Sequence, residues 1–86
     1  MTTQADIVGR FFAAVDALVA ARRLRGVATF ARRCGIDRRN LHQLRRDHSR
    51  GIFRVEWLAV LVEEWNVSPR WLLTGEGGIF EVEGGQ

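Results

Sequence analysis

Twenty residues, Val27 to Arg46 (VATFARRCGIDRRNLHQLRR), constrain the fold more than any other stretch. Val27, Phe30, Ala31 and Cys34 recur at helical spacing, with Arg32 and Arg33 on the other face. Gly35 tolerates the positive φ of a tight turn, and Ala31 offers the small side chain that a close helix crossing needs. Ile36 follows as a corner residue for burial. Asp37 is a good N-cap for a second helix, Arg38 to Arg46, with the polar Asn40 three positions later. In that helix only Leu41 and Leu44 are apolar, so it is too polar for a core helix and must present a broad face to solvent or to a partner.

The flanking segments supply the core such a pair requires. Thr3 is an N-cap with Asp6 in capping-box position, and Ile7, Phe11, Val15 and Leu18 form a helical stripe widened by Val8, Phe12 and Val19. A stripe that broad predicts burial against more than one helix. Arg22, Arg23 and Arg25 are expected to close this helix at the negative end of its dipole, and Gly26 to stop it. Asp47 to Phe53 reads as a loop that Ile52 and Phe53 fasten to the core. Val55 to Trp65 is the most apolar helix, with Trp57, Leu58, Leu61 and Trp65 in line and Glu56, Glu63 and Glu64 on the wet side. Asn66 and Val67 break it. Ser68-Pro69 restarts a short helix to Thr74 that buries Trp71 with Leu72 or Leu73 and ends at Gly75. The reading is a compact all-α domain of five helices over residues 1–78, followed by an acidic, Gly-rich tail over 79–86.

Charge is distributed unevenly. Between Arg22 and Arg54 eleven arginines stand against Asp37 and Asp47, a local net of +9. From Val55 onward one arginine stands against six glutamates, a net of −5. This asymmetry aims one face at a polyanion and turns another away from it. No lysine occurs; arginine's planar fork suits phosphate and guanine, although genomic base composition explains the same usage. No apolar run approaches the roughly 18 residues of a membrane span, and the N-terminus lacks the pattern of a secretory signal. Cys34, the single cysteine, excludes an intramolecular disulfide. The expectation is a cytoplasmic protein.

Two helices hinged by a tight turn, the second polar, are the form of a helix-turn-helix, whose second helix lies in the DNA major groove. The residues here resemble the phage repressor and Cro type of that motif, the lambda-repressor-like domains. Ala31, Gly35, Leu41 and Leu44 stand at its characteristic spacing, and WLLTGEGG followed by Ile79 and Phe80 resembles the close of small prophage-type regulators. The similarity covers roughly residues 7–80. Many members continue into a self-cleaving peptidase domain, so the chain reads either as a stand-alone regulator or as an N-terminal domain. Val27 departs from the family's usual glutamine, which contacts the DNA backbone.

Matched to the motif, the resemblance implies base reading by Arg38, Arg39 and Gln43, with His42 and Arg46 beside them. Arginine forks onto guanine and glutamine onto adenine, each good pair being worth about 1–3 kcal/mol of discrimination. Thr29, Arg32, Arg33, Asn40, Arg45 and Arg50 are the candidates for phosphate contact. The function expected is that of a sequence-specific, double-stranded-DNA-binding regulator, a repressor that occupies its operator as a homodimer. Ile79, Phe80 and Val82 are the candidate dimer contacts. The alternative is a protein-interaction module on the same fold, an antirepressor or a toxin–antitoxin partner, without DNA readout.

Enzyme chemistry has little support. Cys34 lies on the face expected to be buried, and His42 and His48 are six residues apart, wrong for two metal ligands on one helical face. No Gly-rich loop follows a strand. Trp57, Trp65 and Trp71 at helical spacing read as core rather than as a ligand cage. Neither a metal, a cofactor nor a small-molecule ligand is evident.

Overall fold

Thr3 starts the first helix by satisfying two orphan groups at once. Its hydroxyl accepts the Asp6 N–H at 3.2 Å, and its own N–H donates to the Asp6 carboxylate at 2.9 Å. In the computed structural model, which describes residues 1–81, helix α1 runs Gln4–Ala20 and is followed by α2 (Val27–Cys34), α3 (Arg38–Arg46), α4 (Glu56–Trp65) and α5 (Pro69–Thr74). The fold is all-α, and no strand forms among the described residues. No helix is long and apolar enough to cross a membrane. A radius of gyration of 12.5 Å matches the roughly 12 Å of a single folded body of this length.

α1 is the scaffold. It packs against each of the other four helices, which explains why its stripe is too broad for one partner. Val8, Phe11, Phe12, Ala14, Val15 and Leu18 are buried, while Ile7 and Val19 sit half-buried at the margins. Phe11 is the centre of an aromatic cluster. Its ring lies 5.0 Å from Phe12, 5.6 Å from Phe30 on α2, 5.2 Å from Phe53 and 6.3 Å from Trp57 on α4. One side chain thereby joins two other helices and a loop to α1.

The end of α1 differs from the expectation. The helix stops at Ala20, before the arginines, and Arg22 takes the left-handed conformation at φ 61°. The Arg22 N–H donates to Val19 O at 3.0 Å and the Arg23 N–H to Leu18 O at 3.0 Å. These are the two bonds of a Schellman termination, made here without the usual glycine. Arg22, Arg23 and Arg25 therefore lie in the loop, and Gly26, extended at φ −179°, is the N-cap of α2.

The turn between α2 and α3 follows the sequence reading closely. Gly35 is left-handed at φ 71°, Ile36 is buried, and the Asp37 carboxylate accepts the Asn40 N–H at 3.1 Å. In the loop that follows, Phe53 packs edge-on to Phe11 and Trp57, but Ile52 points outward and is 63% exposed, so of the two expected side chains only Phe53 reaches the core. Ser68 caps α5 through the Trp71 N–H at 3.2 Å; Leu72 is buried, Trp71 half-buried and Leu73 exposed.

The tail folds back. The Ser68 N–H donates to Ile79 O at 2.7 Å and the Glu81 N–H to Asn66 O at 3.0 Å, flanking an antiparallel bridge between Val67 and Phe80. Ile79 and Phe80, expected as dimer contacts in a separate tail, are packed against the core of their own chain. The boundary drawn after residue 78 thus falls inside the folded body, and Val82 lies outside the described residues.

Candidate nucleic-acid interface

α3 carries two different faces. At about 100° of rotation per residue, Arg38, His42, Arg46, Arg39 and Gln43 occupy one arc of roughly 140°. All five side chains are exposed, and none of the three arginines has a carboxylate partner among the described residues. The residues expected to read bases are the residues on this outward arc.

The other four side chains of α3 are turned to the body. Leu44 is buried and Leu41 half-buried beside the core. The Asn40 side chain grips the loop: its Oδ1 accepts the Ile52 N–H at 2.8 Å, and its Nδ2 donates to Ile52 O at 2.6 Å. Both functions of that amide are satisfied within the chain, which corrects its assignment to phosphate. Arg45 reaches α1, where its guanidinium forks onto Asp16 at 2.8 and 3.2 Å and lies 4.7 Å from the Phe12 ring centre.

The phosphate candidates divide in the same way. Arg33 pairs with Glu64 of α4, so its charge, like that of Arg45, is matched inside the molecule. Arg32 and Arg50 are exposed and have no carboxylate partner among the described residues. Arg50 lines a shallow cleft with Gln43, Arg46 and Asp47, beyond the C-terminal end of α3. Thr29 is half-buried on α2. Arg22 and Arg25, expected to close α1, and Arg54, to which no role is assigned from the sequence, are likewise exposed without such a partner; the count of arginines held the signal, but not which of them pair internally.

The acidic residues in this strip are tied to backbone or to their neighbours. Asp37 caps α3. Asp47 accepts the Ser49 hydroxyl at 2.6 Å and the Ser49 N–H at 3.0 Å, and these two bonds hold its carboxyl below the usual value. Partial burial raises the Cys34 thiol, an effect the nearby Arg33 charge only partly opposes, so the group is a poor nucleophile. His48 stacks on Phe12 at 5.8 Å. Among the described residues no three His, Cys, Asp or Glu side chains converge as metal ligands would. No family model, curated protein or solved structure matches the chain.

Proposed function

We propose that the protein is a sequence-specific double-stranded-DNA-binding regulator that inserts the outward arc of α3 into the major groove. One observation carries this reading. Each inward side chain of α3 is packed or bonded within the chain, whereas the outward arc is wholly polar, arginine-rich and without internal ion pairs. A helix that only needed to stay soluble has no use for three unneutralised guanidiniums on one face, because their mutual repulsion destabilises it.

Arg39 and Gln43, at adjacent positions of the arc, are the proposed base readers, with His42 and Arg46 beside them toward its middle and Arg38 at its far edge. Arg32 and Arg50 take phosphates on either side, and Thr29 adds a hydroxyl. Arg33 and Arg45 reach DNA only by giving up Glu64 and Asp16, so they contribute less to affinity than their charge implies. A single short helix reads too few base pairs for useful specificity, and the protein is proposed to act as a homodimer on a palindromic operator, blocking transcription.

Selection from random duplex DNA at two salt concentrations tests the reading. A recovered motif is expected, with log K falling against log salt by about 0.9 for each phosphate neutralised. Arg39→Ala with Gln43→Ala should erase preference for that motif and leave the helical circular dichroism unchanged. Full sequence preference in the double variant would show that α3 is not the reading helix. Absence of any motif, with salt-independent capture of a protein partner, would favour the interaction-module alternative.

A further inference from the structure

A trough crosses the junction of α1, α2 and α3. Its larger part, about 390 Å³, lies between α2 and α3, with an apolar floor that includes Val27, Ala28, Ile36 and Leu41 and a rim of Arg32, Arg38 and His42. It continues past Val27 and Leu41 into a smaller hollow against Phe12, where Arg45 stands at the edge. A phosphate backbone requires the cations of such a rim but has no use for the apolar floor.

We propose that this trough binds a small amphipathic carboxylate, a flat apolar body bearing one carboxylate, and that this ligand competes with DNA. The competition rests on the DNA-binding reading above; the binding site itself does not. Arg45 is already matched by Asp16, so charge at the Phe12 end is balanced. Arg32 and Arg38, which line the larger part but not the Phe12 hollow, have no carboxylate among the described residues. The carboxylate therefore goes to Arg32 and Arg38, as a charge-assisted fork, and the apolar body lies over Leu41 toward Phe12. A trough of this volume, mostly apolar with a few placed cations, is within the range of small-molecule sites, about 300–1,000 Å³. Because Arg38 belongs to the outward arc of α3, a bound carboxylate takes a cation that DNA also needs.

The test is a titration of the whole chain by amide-resolved NMR with 1-naphthoate, alongside 1-naphthalenemethanol and inorganic phosphate at constant ionic strength. Saturable shifts are expected at Val27, Ala28, Ile36 and Leu41 with naphthoate, and only weak ones with either control. Arg38→Ala should weaken naphthoate roughly tenfold through the lost fork. Ala28→Leu, at an exposed helix position that tolerates leucine, should block the floor and weaken it at least as much. Naphthoate binding no better than phosphate, shifts mapping elsewhere, or indifference to both substitutions overturns the site. Saturating naphthoate should also raise the apparent Kd for the selected duplex; an unchanged Kd overturns the competition. If naphthoate fills the trough and no duplex binds specifically, the site stands and the DNA-binding reading falls.

Discussion

Asn40 offers the sharpest check on how α3 is held. Replacing it with alanine removes two hydrogen bonds to the Ile52 backbone, at 2.8 and 2.6 Å, each worth about 0.5–1.5 kcal/mol. Because Ile52 is exposed, water re-solvates the freed groups and keeps each loss near the lower end of that range. The better helix propensity of alanine returns about 0.5 kcal/mol. The net expectation is a destabilisation of about 0.5 kcal/mol, read as a lower urea midpoint at unchanged slope by tryptophan fluorescence. Gly51 sharpens the test. It sits at φ 85°, and a Cβ added there would stand 2.7 Å from Asn40 Oδ1 and 3.3 Å from Leu44 Cγ. Gly51→Ala therefore carries a left-handed backbone cost of about 1–2 kcal/mol plus a clash with the Asn40 amide. In the Asn40→Ala background the amide clash disappears and the backbone cost remains. The double-mutant cycle should show a coupling of at least about 0.5 kcal/mol, the smaller penalty falling in the double variant. Strict additivity, with Asn40→Ala neutral, would refute the clamp.

Other substitutions probe the helix ends and the lone thiol. Arg22→Gly relieves a left-handed arginine but gives the unfolded chain more freedom, so it should stabilise by a net of about 0.5–1 kcal/mol in the same denaturation assay. Asp6 is held below its ordinary value of 3.8, chiefly by the Thr3 backbone N–H, and Asp47 by its two Ser49 bonds. Their stabilising effect is present above pH 3.8 and disappears as pH falls through the lowered folded-state values, so Asp6→Asn should flatten the acid limb of a stability-against-pH curve. Cys34, raised by burial, should react with a thiol reagent at neutral pH more slowly in the folded protein than in urea, and Arg33→Ala should slow it further by removing the nearby positive charge.

Local chemistry was legible in the sequence, and long-range pairing was not. The bounds of α2 and α3 could be read because Gly35 and Asp37 each do a job that few other residues can, one in the left-handed region and one as a side-chain cap. The end of α1 carries no such mark for the complementary reason: an arginine occupies the left-handed position that a glycine would have marked. Asn40 has the composition of a surface residue, and only its meeting with Ile52, twelve positions on, gives it a structural role. The partners of Arg33 and Arg45 lie 31 and 29 residues away, so no spacing rule separates them from Arg32 and Arg46. Ile79 and Phe80 belong to no helical or strand period, and the bridge to Val67 that draws them in is a single pair.

The position of α1 among the other helices limits how far α2 and α3 can be moved. α2 and α3 have eight and nine residues, below the roughly 12–15 at which an isolated helix becomes marginal in water. Phe30 of α2 packs edge-on to Phe11, and Arg45 of α3 reaches Asp16, so both helices lean on α1 rather than standing alone. The Val27–Arg46 stretch is thus not a portable cassette. Grafted onto another protein, it would carry its side chains without the geometry that presents them, unless the acceptor also supplied an aromatic-faced helix in the place of α1.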